Sequence, residues 1–463
     1  MLSNRISPAV RSSKASASSL GAFVLARLAH THHKVLIVGG GSAGISAAHQ
    51  IYNKFSKYRF ANGEGKDASI KSGEIGIVDG AKHHYYQPGW TLTGAGLSSV
   101  AKNQRDLSSL VPNDKFKLHP EFVQSLNPKD NKIVTQGGHE ISYDYLIMAA
   151  GIHSDFERIK GLNEALDNPS VPVTTIYSAK HADSVFPLIQ KTTSGTAIFT
   201  QPSGVLKCAG APQKIMWMAE DYWRRQNVRN NLQVSFYSGC PTLFSVKRYS
   251  DALERQNQTL HRNVHLNYNN NLIEVNGKER KAVFQNTADN TTFERSFDLL
   301  HAVPFMRAHD FIAKSDLADN SGYVAVNPAT TQSTKFPNVF AIGDCSGLPT
   351  SKTYAAITSQ APVMVHNLWS LVNGKNLTAA YDGYSSCPLL TGYGKLILAE
   401  FKYNQVPTES FGRYSRFLDQ TVPRRPFYYL KKDVFPFVYW NFAMRNGQWY
   451  GKRGVFPPHF TVN

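Results

Sequence analysis

Short runs of β-branched and aliphatic residues stop abruptly on glycine or an acid, and the stretches between them carry apolar residues at helical spacing. Lys34 to Val38, KVLIV, runs into GGGSAG and then ISAAHQIYNK. This pattern predicts a buried strand, a tight turn and a helix from Ile45 to about Lys54. Glu74 to Asp79, EIGIVD, predicts a second strand that ends in a carboxylate. Val123 to Thr135 predicts a strand pair joined through Asn127, Pro128 and Asp130. YDYLIMAAG, from Tyr143 to Gly151, and FPNVFAIGDCSG, from Phe336 to Gly347, predict two more buried strands closed by small residues. From about Gly161 to Asn327 the alternation restarts: TAIFT at 196–200 reads as a strand, and APQKIMWMAEDYWRR, Ala211 to about Arg225, as a helix with Pro212 in its first turn. Strands alternating with helices predict an α/β chain with two Rossmann-like units.

The chemistry sits where the apolar runs end. Gly39, Gly41 and Gly44 occupy the three glycine places of GxGxxG. Without a Cβ the backbone can turn sharply and approach a pyrophosphate, which then faces a helix N-terminus. Asp79, at the end of the second strand, is placed to accept hydrogen bonds from ribose hydroxyls; the polar Phe55 to Gly73 stretch explains why it lies farther from the glycines than usual. Asp344 follows a glycine at a strand end and suits a ribityl hydroxyl, and Lys352 opens a small-residue helix that can offset charge on a reduced flavin. The second unit lacks the second GxGxxG that NAD(P)H would need. Its first strand continues instead as QPSGVLKCAGAP, which puts Cys208 before a helix N-terminus and beside Lys207, two features that favour a thiolate.

Composition narrows this picture at the two ends. The first 33 residues hold Arg5, Arg11, Lys14 and Arg27 with no acid, and much serine and alanine, as in a mitochondrial transit peptide or a disordered basic tail. No run of about 18 apolar residues exists, so a spanning helix is not expected. The net charge of +17 suits an anionic partner, whether nucleic acid, membrane surface or acidic substrate. From Pro423 onward, aromatics interleave with Arg424, Arg425, Lys431, Lys432, Arg445, Lys452 and Arg453. That mixture suits a bilayer interface, single-stranded nucleic acid or a dimer contact; without any RNA-binding signature elsewhere, the membrane surface is preferred. The four cysteines, Cys208, Cys240, Cys345 and Cys387, are too scattered for a disulfide framework, and no metal-ligand spacing occurs.

The segments YYQPGWTLTGAG (85–96), KCAGAPQKIMW (207–217), FPNVFAIGDCSGLPTSKT (336–353) and YDGYSSCPLLTGYGKLILAEF (381–401) closely resemble the mitochondrial type of sulfide:quinone oxidoreductase, flavoproteins related to the pyridine nucleotide-disulfide reductases. The resemblance runs from Lys34 to at least Trp440 and implies two-electron oxidation of sulfide, transfer of the electrons through FAD to ubiquinone, and delivery of the oxidised sulfur to glutathione, sulfite or a similar acceptor. It implies that Cys208 and Cys387 form the redox pair, with the persulfide on Cys387 and the thiolate on Cys208. It further implies FAD contacts by Gly39, Gly40, Gly41, Ser42, Ala43 and Gly44 at the pyrophosphate, Asp79 at the ribose, and Gln87 beside the cofactor. Val123 at the adenine through its backbone, Asp344 at the ribityl chain and Lys352 at the ring complete the set. Cys240 then reads as a loop thiol and Cys345 as packing.

The expected organisation is a transit peptide over 1–33, an FAD-binding domain in two parts over 34–160 and 328–400, and a second Rossmann-like domain without the NAD motif over 161–327. A membrane-associating, quinone-access region follows over 401–463. Expected partners are sulfide, ubiquinone, a small thiol or sulfite and the inner mitochondrial membrane surface, with no nucleic acid. A type II NADH:quinone dehydrogenase and a non-catalytic flavin-binding membrane scaffold are the alternatives.

Overall fold

A computed structural model describes residues 31–57, 69–412 and 418–460. The expected transit peptide, up to residue 30, and residues 58–68 of the polar stretch after the first helix lie outside the described residues.

The first sheet has a parallel core. Phe116–His119, Ile75–Val78, Thr31–Val38 and Glu140–Met148 lie side by side, and Val339–Ala341 pairs in parallel with the end of Glu140–Met148. The antiparallel ribbon Val123–Asn127/Lys132–Thr135 joins the start of that same strand. These strands are parallel and covered on both faces, so they are continuous apolar runs: Leu36, Ile37, Leu146 and Ile147 are all fully buried. Register then fixes the site. Val38 pairs with both Val78 and Met148, and Ala341 with Met148. Gly39, Asp79, Ala149 and Gly343 therefore emerge together at the carboxyl ends of the strands, where open α/β sheets bind their ligands.

The second sheet is also parallel, in the order Val173–Thr174, Leu299–His301, Gly195–Gln201, Leu232–Ser238, Val264–Asn267. The helix Ala211–Arg225 crosses it and buries Ile215, Met216, Met218 and Trp223. A hairpin, Ser385–Gly392/Lys395–Lys402, packs on this helix. The fold is thus α/β with two Rossmann-like sheets, as expected.

Two segments differ in extent from their sequence reading. The first helix spans Ser42–Lys57 and the first strand begins at Thr31. The helix starts early because the glycine turn itself closes its first turn, Ile45 N donating to Gly41 O at 3.0 Å. The basic, aromatic tail forms one helical run from Arg425 to Asn446 that passes through two π-type turns, at Leu430–Val434 and Tyr439–Ala443. Among the described residues no helix is long and apolar enough to cross a membrane.

Candidate functional site

One cavity of about 840 Å³ runs from the glycine turn, past Cys208, to the C-terminal helical run. One part of its wall is built by the first sheet. Gly39 has φ +109°, and a Cβ there would lie 2.4 Å from Ala149 O, so only glycine fits. A Cβ on Gly41 would meet nothing within 4 Å and would project into open space. This is the cradle a pyrophosphate needs.

The turn is held from both sides. Gly40 N donates to Asp79 Oδ2 at 2.7 Å, and the other carboxylate oxygen accepts from Ala81 N at 2.8 Å. Gly40 O lies 2.9 Å from His84 Nδ1, and His84 Nε2 lies 2.5 Å from the Tyr439 hydroxyl, which is 2.7 Å from Ser42 Oγ. Burial lowers the His84 pKa, against the pull of the Gly40 carbonyl and Asp79, so the ring is neutral. A carbonyl can only accept, so Nδ1 carries the hydrogen and Tyr439 donates to Nε2.

Of the sequence-selected residues, Gly39, Gly40, Gly41, Ser42, Ala43, Asp79, Gln87, Asp344 and Lys352 line this cavity. Gly44 does not; a Cβ there would lie 1.8 Å from Gly39 O, so its role is to let the helix close on the turn. Val123 sits in its strand paired with Thr135 and is absent from the cavity wall. Burial pushes the Asp344 carboxyl up, and Lys352 and Lys207 oppose that shift. Burial in turn pushes both lysines down while Asp344 holds them up. Lys352 Nζ also donates to Ser346 O and lies 4.8 Å from the Tyr323 ring.

Cys208 and Cys387, 179 positions apart in the chain, have Sγ atoms 3.6 Å from each other. That is a thiol contact, well beyond a disulfide bond of about 2.05 Å. Cys208 adopts φ +51°, a left-handed conformation costly for a residue with a Cβ. It is pinned there because its N–H donates to Lys352 O at 2.7 Å and its carbonyl accepts from Ala211 N at 2.7 Å. Cys387 is reached by strand alternation: Ser386 and Pro388 face the cavity, while Cys387 and Leu389 point into the core beneath the helix Ala211–Arg225. Gly210 makes the approach possible, since a Cβ there would lie 2.6 Å from Cys387 Sγ.

The two thiols are driven apart in acidity. The hydrogen bond from Cys387 holds Cys208 well below the ordinary thiol range; burial opposes this, and the positive charges of Lys214 and Lys431 support it. Cys387, as the donor and next to a thiolate, is pushed well above that range. Lys214 Nζ is 3.3 Å from Cys208 Sγ. Burial depresses Lys214, but the two sulfurs outweigh it and leave the ammonium favoured. Lys431, whose Nζ donates to Pro88 O at 3.1 Å, is pushed down to about 7 by burial and by Lys214.

Sequence reasoning chose the wrong lysine. Lys207 faces Asp344, and the cation on the sulfur is Lys214. The signal was available: at helical spacing, Lys214 stands on the apolar stripe with Ala211, Ile215 and Met218, where a charge is out of pattern. His84 and Tyr439 were also missed, and neither carries a motif. Cys345 is fully buried and pushed up to about 11 by that burial, and Cys240 lies in a loop off the cavity wall.

No family model matches the chain. It is 79% identical over 442 residues to the mitochondrial sulfide:quinone oxidoreductase of Schizosaccharomyces pombe, covering 96% of each chain. It is 39% identical over 462 residues to the protein of the same name from Dictyostelium discoideum, covering 98% of this chain and 96% of that one. Among solved structures, the sulfide:quinone oxidoreductase of Aquifex aeolicus superposes with a TM-score of 0.67 at 18% identity, over 90% of this chain and 92% of that one, a likeness of fold.

Proposed function

The chain belongs to the mitochondrial sulfide:quinone oxidoreductases, and from that premise we propose how its residues divide the work. It is an FAD-dependent oxidoreductase that oxidises sulfide and reduces a quinone. When bound, FAD supplies a two-electron carrier between the sulfur pair and the quinone.

The observation that carries the reading is the sulfur pair itself, 3.6 Å apart with an ammonium 3.3 Å from one member, on the wall of the cavity that begins at the glycine turn. In the oxidised pair, HS⁻ attacks at Cys387, the bond between the sulfurs breaks, and Cys208 leaves as thiolate. One bond forms and one breaks, giving a Cys387 persulfide and a Cys208 anion. Lys214 stabilises that anion, and a thiol of low pKa makes a good leaving group. Cys208 lines the cavity and Cys387 faces the core, which supports Cys208 as the sulfur next to the cofactor. The persulfide sulfur then passes to a small nucleophile such as glutathione or sulfite.

Gly39 to Ala43 would hold the pyrophosphate, Asp79 the ribose, Asp344 the ribityl chain and Lys352 the ring. The NADH-oxidising alternative finds no support in the second sheet. Asn271 fills the turn after Gly195–Gln201, where its Oδ1 accepts from Ser203 N at 2.8 Å and its Nδ2 donates to Ser203 Oγ at 2.9 Å.

The quinone enters from the inner mitochondrial membrane. Leu430, Val434, Phe435 and Val438 line the cavity where it meets the C-terminal helical run. Tyr429 and Phe437 on the same run are exposed, as is Phe456 beyond it; Lys432 Nζ lies 6.0 Å from the Tyr429 ring, and Arg445 and Arg453 are exposed too. Apolar rings beside cations suit an anionic bilayer interface.

The test is anaerobic addition of hydrosulfide to enzyme purified with FAD. The wild-type flavin should bleach, and Cys208→Ser and Cys387→Ser should each keep FAD but lose the bleaching. Undiminished bleaching in both variants would refute the pair.

A further inference from the structure

The left-handed backbone of Cys208 depends on one peptide plane. Its φ of +51° fixes the direction of the Cys208 N–H, and that N–H shares a rigid plane with the carbonyl of Lys207. The local route back to negative φ, which a residue with a Cβ prefers, turns the Lys207–Cys208 peptide over and reverses both groups at once. Each end of the plane is held. Cys208 N donates to Lys352 O at 2.7 Å, and the Tyr177 hydroxyl donates to Lys207 O at 3.3 Å. The same hydroxyl is 3.5 Å from Cys208 O, which already accepts from Ala211 N at 2.7 Å, so Lys207 O is the acceptor that depends on it.

Tyr177 is itself fixed. It follows Val173–Thr174, the edge strand of the second sheet, and the backbone there is tied down: Ile176 N donates to His301 Nε2 at 3.1 Å and Tyr177 N to Thr175 Oγ1 at 3.1 Å. Burial pushes His301 down to about 3, so its ring stays neutral and Nε2 can accept. The Tyr177 side chain is 7% exposed and lines the cavity, as Lys207 and Cys208 do. Burial, and then the charge of the two cysteine sulfurs, raises its phenol well above the ordinary range, so the hydroxyl keeps its hydrogen and donates. A neighbouring contact offers a comparison. Lys207 N donates to Met306 Sδ at 3.2 Å, but that N–H belongs to the preceding peptide, Leu206–Lys207, whose direction does not set φ of Cys208.

We propose that Tyr177 is a positioning residue for the sulfur pair: its hydroxyl holds the Lys207 carbonyl and so keeps Cys208 in the left-handed conformation that leaves its sulfur 3.6 Å from Cys387. This rests on the reading of Cys208 and Cys387 as the redox pair. Tyr177 acts through the backbone. Without its hydroxyl a buried carbonyl loses a donor while the strain at Cys208 remains, and both are relieved when the peptide turns over. The Cys208 side chain then leaves the strand Ser385–Gly392, and the two sulfurs meet less often. A lower effective concentration of one sulfur at the other weakens the bond between them.

The test equilibrates enzyme purified with FAD against mixtures of reduced and oxidised dithiothreitol, quenches in acid, and follows the Cys208–Cys387 bond by peptide mass. Each closure passes two electrons and two protons from the cysteines to the reagent, whose own disulfide opens. Tyr177→Phe removes one oxygen and keeps the packing of the ring. It should lower the closing constant about tenfold, in keeping with one orphaned buried carbonyl, a shift of about 30 mV towards a more oxidising potential. Met306→Leu conserves volume and frees only the preceding peptide, so its closing constant should stay within about twofold of wild type. Re-oxidation of dithionite-reduced Tyr177→Phe by a short-chain ubiquinone should match wild type, which separates a displaced sulfur from a loosened protein. A closing constant unchanged in Tyr177→Phe, an equal fall in Met306→Leu, or a parallel fall in re-oxidation by ubiquinone overturns the proposal. If the wild-type pair closes at no ratio of the reagent, the redox-pair reading falls and this one with it; if it closes and Tyr177→Phe matches it, the positioning role alone falls.

Discussion

Replacing Lys214 by methionine should raise the pKa of Cys208 and move the enzyme's activity to higher pH. Lys214 is 1% exposed, so an unbranched apolar side chain of similar length keeps the packing and removes only the charge. At 3.3 Å and an effective dielectric constant of about 20, an ammonium and a thiolate attract by roughly 5 kcal/mol. With about 1.4 kcal/mol per unit, that would be a ceiling of three to four pH units. The hydrogen bond from Cys387 and the charge of Lys431 remain in the variant, and burying an ammonium costs part of the gain, so about two units is the expected shift. The sign follows directly: Cys208 is depressed, and removing a cation lets it rise, so the thiolate is lost from the acid side first. The assay is iodoacetamide alkylation of the reduced enzyme against pH, with Cys208 followed by peptide mass. Its midpoint should move up by about two units, and hydrosulfide-dependent flavin bleaching at neutral pH should slow about 10- to 100-fold and recover in alkali. An unchanged midpoint would show that Lys214 does not set the reactivity of the pair.

Two further outcomes follow from contacts away from the sulfurs. Tyr439→Phe removes the hydroxyl between His84 and Ser42, which strands a buried imidazole nitrogen at a cost of about 1–3 kcal/mol. FAD should be lost faster on dialysis, read by its free fluorescence, while an unchanged off-rate would separate this network from cofactor binding. Phe437 and Phe456 are 59% and 71% exposed. Replacing both by serine should weaken co-sedimentation with anionic vesicles by at least tenfold, since each ring is worth about 1.5–3 kcal/mol on burial, and should leave re-oxidation by a soluble quinone unaltered. Equal sedimentation of variant and wild type would place the docking face elsewhere.

The legible parts of this protein were those in which one residue's neighbours in sequence are also its neighbours in space. KVLIVGGGSAG specifies strand, turn and helix because each step is local, and the helix Ala211–Arg225 has the bounds its apolar spacing and Pro212 dictate. The resemblance paired Cys208 with Cys387; local pattern could not, because the contact depends on how a hairpin packs on a helix 160 residues earlier. The same holds for the His84–Tyr439 link, which joins residues 355 apart. Charge out of pattern was a readable signal left unused: Lys214, Lys431 and Glu400 each interrupt an apolar stripe, and each is buried against the cavity.

The π-type turns explain how the tail serves two masters. Lys431 and Tyr439 are eight residues apart, which on a regular α-helix is about 80° from a common face. One residue inserted in the turn Leu430–Val434 makes the spacing behave as seven, about 20° from alignment, so both side chains reach the cavity. A regular helix would have had to choose between Lys431 near the sulfur pair and Tyr439 at the glycine turn, or turn one of them towards the exposed face with Phe437. Strand alternation in the adjoining hairpin makes the matching separation. Cys387 points to the core face of its strand, and Ser386, Pro388 and, across the hairpin, Glu400 face the cavity.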